Sequence, residues 1–414
     1  MKNKLNNKSS DICIKAITYE LFPNKTMQKI LDRNCDYRRY CWNQALTLWN
    51  DLYSAHTILD KTNKSPNWLL VSKCLIADKE DWQDNYTAHI LQLAVKDLGI
   101  AWQNFFNKAQ PDWGKPKFKS KRSPRQGFKS DGARLADGQL VLDKPMPLRN
   151  QHWQKIKLSE KPLNYPTGVM SFYREYGHYF VAIPYKIPKS NFEAKNKTGK
   201  VTGVDVNVGH FNYQGGTKIV LPKRLKKTYS NIKHYQRALA KKRVVNGNQQ
   251  AVNSKKYLKT ITKLQVAYRR ATNIQTDLLQ KFTTNLVNNY DSIVIEDLDV
   301  KAMLMSHVAS KGMQRSMFGK FRQILTYKCE WYNKELIIAN KCYPSTQRCA
   351  VCGNIKRGDD RITLLGNRKH HTRHNQYVCY NSSCPNYKQI VDRDQNAMLN
   401  LTLLATHPEL NKAL

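Results

Sequence analysis

Four of the ten cysteines fall into two tight pairs near the C-terminus, and this pattern constrains the fold more than any other feature of the chain. Cys349-Ala-Val-Cys352 has a gap of two residues, and Cys379-Tyr-Asn-Ser-Ser-Cys384 a gap of four. Four thiolates in two close pairs make a closed tetrahedral site for one structural Zn²⁺ ion. The 26 residues between the pairs must then leave and return to a single point. His370, His371 and His374 lie inside that excursion, and one of them could stand in for a cysteine. Cys13, Cys35, Cys41 and Cys74 are scattered, while Cys329 and Cys342 read as small hydrophobes. That is not a disulfide framework, and it fits a reducing cytoplasm.

Charge narrows the partner. The 414 residues carry 69 Lys+Arg against 31 Asp+Glu, a formal net charge of +38. An excess of that size points to a polyanion, with nucleic acid the commonest, and away from small-metabolite enzymes. It is unevenly spread. Residues 206–276 contain no Asp or Glu, and 221–270 hold fifteen Lys or Arg. Leu264, Tyr268, Ala271, Leu278 and Phe282 recur at helical spacings in the same segment, so two helices are expected, broken around VVNGNQQ at 244–250. A solvated face is the ordinary reading of such a run. Without acids to balance it, self-repulsion costs stability unless an anion neutralises the surface. Lys226, Lys227, Arg237, Lys241, Lys242, Arg243, Arg269 and Arg270 are therefore candidate phosphate contacts.

Nearer the N-terminus, residues 10–22 read as a strand ending at Pro23. From Thr26 to Lys108 apolar residues recur every three or four positions, as in a small helical bundle. PDWGKPKFKSKRSPRQGFKS then interleaves cations with Trp113, Phe118 and Phe128, so Lys115, Lys117 and Lys119 join the candidate nucleic-acid contacts. Short strands follow. Glu175-Tyr176-Gly177-His178 sits between two of them as a hairpin turn, and the group suggests a small antiparallel barrel. KSNFEAKNKTGK at 189–200 is a polar linker. No signal peptide and no membrane span is expected, so membranes are not a partner.

Three acids complete the picture. Asp205 stands in the middle of the apolar strand VTGVDVNVGHF, where an acid is costly unless paired or ligating metal. Glu296 ends the buried-strand run Ile293-Val294-Ile295, and Asp394 opens a helix with Ala397, Met398, Leu401 and Leu404 inward. Either of the last two alone could be a strand-end or helix-end acid facing solvent. Together, in a nucleic-acid binder, they form the inventory of a two-Mg²⁺ phosphodiesterase: hard ions want carboxylate oxygens converging from separate elements.

GVDVNVG, IVIEDLDVKAM, YPSTQRCAVCG and DRDQNAMLNL, in that order, resemble the RuvC-like nuclease half of TnpB, the transposon-encoded RNA-guided endonuclease family related to type V CRISPR effectors. AWQNFFNK and GKPKFKSK upstream are also similar to it. The resemblance implies an α/β RNase H-like (RuvC) domain over 198–343 and 387–414 with a zinc ribbon inserted at 344–386. It further implies a wedge-like β-barrel over 1–25 and 109–197 carrying a helical recognition lobe at 26–108. A guide RNA would direct cleavage of double-stranded DNA beside a short adjacent motif. Asp205, Glu296 and Asp394 fall on the family's catalytic acids, and Cys349, Cys352, Cys379 and Cys384 on its zinc ligands. Asp392 lies in the third motif as well, but Asp394 is the acid two residues before Asn396. Three points depart from the pattern: Asn207 replaces a common glycine, the second cysteine pair is wide, and the insert is long. A miniature CRISPR effector with an array-derived guide, or a nuclease-inactive RNA-guided repressor, are the alternatives, and the intact acids argue against the second.

Overall fold

The computed structural model of the chain describes residues 11–59, 65–107, 114–192, 197–207, 210–214, 219–245, 248–249, 254–298, 317–363, 365–367 and 369–411, without the side chains of 58–59 and 243–249. Trp113, Gly215, Gly216 and the Arg243 side chain lie outside the described residues. Two compact units divide after Lys189.

The first unit opens with β1 (Ile12–Phe22), followed by helices α1 (Lys25–Ser54), α2 (Trp68–Ala77) and α3 (Ala88–Phe106). Asn24 caps α1 through Met27 N, 2.8 Å away, which starts the helix immediately after Pro23. Leu31, Trp42, Leu46 and Trp49 of α1 are buried, as are Leu91, Leu98 and Trp102 of α3. Then come β2 (Arg125–Ser130), the hairpin β3 (Arg134–Ala136) and β4 (Gln139–Val141), β5 (Lys157–Leu158), β6 (Met170–Glu175) and β7 (His178–Pro188). Five of these strands form one antiparallel sheet in the order β2-β6-β7-β1-β5. The β6–β7 turn pairs Glu175 with His178. Tyr176 and Gly177 there both take positive φ, 54° and 81°, as a two-residue hairpin loop requires.

The second unit is an α/β layer. It contains β8 (Val201–Asn207), β9 (His210–Tyr213), β10 (Ile219–Val220), α4 (Lys223–Arg243), β11 (Val244–Val245), β12 (Asn248–Gln249), α5 (Lys255–Asn289), β13 (Ser292–Glu296), α6 (Phe318–Trp331), β14 (Glu335–Ala339), β15 (Gln376–Val378), β16 (Ile390–Asp392) and α7 (Arg393–Thr406). The main sheet has the order β10-β9-β8-β13-β14, with β13 parallel to both β8 and β14 and the other pairs antiparallel. Strand alternation sorts its two faces. Val204, Val206, Ile293 and Ile295 pack with Phe282 of α5 and Phe321 of α6. Val294 packs on the opposite face with Leu401 and Leu404 of α7. Asp205 and Glu296 alternate with the first set, so they share the α7 face.

The basic segment is a helical hairpin, α4 against α5, with its own small core of Leu225, Ile232, Ala267, Ala271 and Ile274. The remaining face is cationic. Lys226, Lys227, Arg237, Lys241, Lys242 and Arg270 are exposed and Arg269 is half-buried. Among the described residues, no helix is long and apolar enough to cross a membrane.

Candidate active site and metal centre

Parallel pairing of β8 with β13 matches Ile295 to Val204, so Glu296 stands level with Asp205 on the neighbouring strand. Both side chains point toward α7, whose first turn carries Asp394. Glycine makes that approach possible. A Cβ on Gly203 would lie 2.5 Å from the Met398 carbonyl oxygen and 2.6 Å from both Leu401 Cβ and Thr402 N. With no side chain there, Thr402 Oγ1 also accepts from Gly203 N at 2.7 Å, locking α7 onto β8 two residues before the buried acid. Gly203→Ala is expected to lift α7 from the sheet, costing about 1–3 kcal/mol as overpacking does. Calorimetry would register a lower Tm.

Glu296 and Asp394 are near enough to Asp205 to oppose its ionisation. Asp205 is 5% exposed. Burial, then the charges of Glu296 and Asp394, push its carboxyl up to about 8, against the pull of Asn207 and Arg393. Glu296 is also raised, chiefly by burial, while the Ser345 hydroxyl and Arg393 hold it down. Neighbours fix each acid. Asn207 Nδ2 donates to Asp205 Oδ2 at 2.6 Å, and Ser345 Oγ donates to Glu296 Oε1. His210 Nε2 lies 3.0 Å from Asp394 Oδ2, with Arg393 Nη2 at 3.4 Å from Oδ1. Asn207, the departure from the family pattern, thus ends β8 by gripping the first acid. Asp392 plays a different part, since it is exposed and caps α7, accepting from Gln395 N at 3.0 Å. Three hard carboxylate oxygen donors, partly deprived of water and repelling each other, are suited to divalent cations.

An acid with a raised folded-state pKa destabilises the fold increasingly as pH rises. In metal-free protein the Asp205 contribution should develop between its ordinary 3.8 and about 8. Asp205→Asn keeps the shape and removes the charge. It is expected to raise the Tm of metal-free protein and flatten its decline over that range, measured by thermal unfolding against pH.

The cysteine module sits beside this site in sequence and in hydrogen bonding. The sulfurs of Cys349, Cys352, Cys379 and Cys384 lie within 4.8 Å of one another and could hold a metal ion. Cys349–Cys384 and Cys352–Cys379 separations are 3.9 and 3.6 Å, close to the edge of about 3.8 Å that a tetrahedron of Zn–S bonds requires. His370 turns elsewhere, to Asp360 at 2.8 Å and onto the Tyr380 ring at 3.8 Å. None of His370, His371 and His374 joins this cluster of ligand atoms, and among the described residues Asp205, Glu296 and Asp394 do not form a cluster of that kind. Residues just before and within the first pair anchor on α7. Asn400 Nδ2 donates to Ser345 O and Arg348 O at 2.9 and 2.7 Å, Arg348 Nη1 donates to Asn400 Oδ1 at 2.9 Å, and Asn396 Oδ1 accepts from Ala350 N at 3.0 Å. His210, Ser345 and Asn400 stand in or beside the sequence motifs, but only the packed structure gives them partners.

The RuvC-type sheet, its acids and an inserted cysteine module define a nuclease-like domain. The chain is similar to proteins of the TnpB family. A family model described as "Probable transposase" matches residues 182–307, a "Cas12f1-like, TNB domain" residues 318–401, and a "Helix-turn-helix domain" residues 13–57. A provisionally named RNA-guided DNA endonuclease of Streptomyces pristinaespiralis is 26% identical over 64% of this chain and 63% of its own length. A protein similarly named, InsQ of Escherichia coli K12, is 26% identical over 82% of this chain and 84% of its own. TnpB-like protein L770 of Acanthamoeba polyphaga mimivirus reaches 32% over 38% of this chain and 28% of its length. The chain therefore spans just under two thirds of the first relative and more of the second. A Cas12f1 chain, solved with sgRNA and target DNA, shares the fold at a TM-score of 0.50 and 12% identity, covering 95% of this chain and 99% of that one.

Proposed function

We propose that the chain is an RNA-guided, Mg²⁺-dependent endonuclease that cuts double-stranded DNA beside a short adjacent motif. The observation that carries this is the placement of Glu296 beside Asp205 on the α7 face of the sheet, with Asp394 in the first turn of α7 and both charges near enough to add to burial in raising Asp205. The names of the relatives support guide and target, RNA and DNA. In this reading residues 198–343 and 387–414 form the RuvC-like nuclease and 344–386 a ribbon closed by one structural Zn²⁺. Residues 1–25 and 109–197 are the wedge-like barrel, and 26–108 the helical recognition lobe. It acts on DNA in the cytoplasm.

The donor set fits two Mg²⁺ ions on the three acids, which when bound would activate water and stabilise the leaving oxygen. Asn207, His210 and Ser345 hold the carboxylate oxygens in place. Arg393 offsets part of the site's negative charge. Lys115, Lys117 and Lys119, with the exposed cations of α4 and α5, contact phosphates, and base pairing with the guide reads the sequence.

A second reading, a miniature CRISPR effector with an array-derived guide, is favoured by the match to the Cas12f1-like TNB domain. One preparation tests both. The protein is expressed with its flanking genomic DNA, the copurifying RNA is sequenced, and cleavage is assayed with Mg²⁺ and with chelator. A discrete RNA with a constant scaffold and variable end is expected, and its origin in a transposon end or a repeat array chooses between the readings. A heterogeneous RNA population, or cutting that ignores the RNA, would overturn guided cleavage.

A further inference from the structure

We propose that the first unit contains a built phosphate site, where Arg38, Arg39, Lys119 and Arg125 converge on one cleft that grips a backbone phosphate of the bound nucleic acid. The inference deepens the nucleic-acid reading above and rests on it. The cleft has a volume of about 410 Å³, and none of its lining residues is a carboxylate.

Its construction begins with an extended strap. Residues Lys117 to Lys119 are tied along α1: Trp42 Nε1 donates to Lys117 O at 3.0 Å, Asn43 Nδ2 to Lys119 O at 3.1 Å, and Lys119 N to Asn43 Oδ1 at 2.8 Å. That pairing brings the strap's cations beside those of the helix. Each cationic head is then positioned. Lys119 Nζ lies 3.9 Å from the Trp42 ring centre, and the Arg125 guanidinium 3.7 Å from that of Tyr173. Arg38 bonds Asp97 at 2.9 Å, and Arg39 bonds Asp36 at 2.6 Å.

The charges do not balance. Asp97 also serves Lys129, and Asp36 also serves Lys121. Among the described residues neither Lys119 nor Arg125 has a carboxylate in ion-pair range, and both rest on aromatic faces instead. Burial first, then Arg38, with Lys129 adding and Asp97 opposing, push the Lys119 ammonium down to about 8. A cleft that strains to keep its lysine charged gains most from an anion. Phosphate suits it because guanidinium groups bind phosphate oxygens through paired donors. Phe118, 60% exposed on the same cleft, offers a face to the sugar or base next along the strand.

The test is competitive labelling of lysines with an amine-reactive ester at neutral pH, read by peptide mass spectrometry. Free protein, the RNA-bound complex, and that complex with duplex DNA are compared. Lys119 is expected to react ahead of ordinary lysines in free protein and to be protected about tenfold or more once nucleic acid is bound. Protection on RNA alone assigns an RNA phosphate, and protection only on adding duplex assigns a DNA phosphate. Lys119 left open to the reagent in a complex that still cuts DNA would overturn the site and leave the nuclease reading standing. Failure to bind either nucleic acid would overturn both. As a second arm, Lys119→Met combined with Arg125→Gln should make the dependence of log Kd on log salt shallower by about 1–2. An unchanged slope would count against the site even with labelling protection.

Discussion

Glu296→Gln is expected to reduce DNA cleavage about a thousandfold or more while leaving RNA and DNA binding in place. Electrostatic stabilisation at a two-metal site is worth several kcal/mol, and about 4 kcal/mol corresponds to that factor. The substitution keeps the volume and the Ser345 contact but removes the charge. Asp205→Asn and Asp394→Asn should act alike. The pairwise combinations carry a sharper expectation: residues that operate as a unit lose almost everything at the first substitution. Asp205→Asn with Glu296→Gln should therefore cut scarcely less than either alone, measured by single-turnover cleavage with saturating guide and target. An acid whose variant cuts normally would leave the proposed metal-binding set.

Much of this site is legible in the chain itself. A lone acid inside VTGVDVNV is an electrostatic anomaly that only a partner or a metal repairs, and a run such as Ile293-Val294-Ile295 ending in Glu296 announces a buried strand. The helix start at Asp394 is readable from the apolar spacing that follows it. What periodicity cannot supply is distance across the chain. His210 against Asp394 spans 184 residues and Ser345 against Glu296 spans 49, and neither partnership leaves a local pattern. Two acids of one motif, Asp392 and Asp394, are told apart in the sequence only by the resemblance, which favours the acid two residues before Asn396. Helix geometry separates them: one faces back to cap its own first turn and the other faces the sheet. Among the described residues the N-terminal strands pair as one five-stranded sheet in the order β2-β6-β7-β1-β5. Strand spacing suggests a small barrel but does not say which strands pair.

The second large effect is expected from chemistry that touches none of the acids. Cys379→Ser, or prolonged treatment with a strong chelator, should release one equivalent of zinc and abolish most cleavage. Closed cysteine sites contribute folding energy outright, with apparent values of about 10–16 kcal/mol in isolated zinc-binding peptides. Without the ion, the segment that begins with Ser345 and Arg348 loses its anchor, and with it the hydroxyl held on Glu296. Hydrogen exchange should accelerate around residues 344–386 and at the start of α7, while β8 and β13 stay protected. Ser345→Ala provides the control, because it keeps the metal and removes one hydrogen bond to a charged group. It should lower cleavage only by about tenfold to a hundredfold, the worth of roughly 1.5–3 kcal/mol. Full activity in zinc-depleted protein would mean the ribbon is a passenger.

Two neighbouring strands in parallel register hold the first two acids, and their separation is set by the roughly 4.8 Å spacing of a sheet rather than by any connection. The long segments that intervene are therefore free to vary. Lengthening a loop costs only about 0.6 kcal/mol per doubling, and the outer part of the α4–α5 hairpin brings its own small core. The face that carries the acids behaves as a fixed chassis into which modules of different length can be plugged. Shortening the hairpin beyond Leu225 and Ile274, or exchanging it for another, should retune what the protein grips without shifting where it cuts the phosphodiester bond.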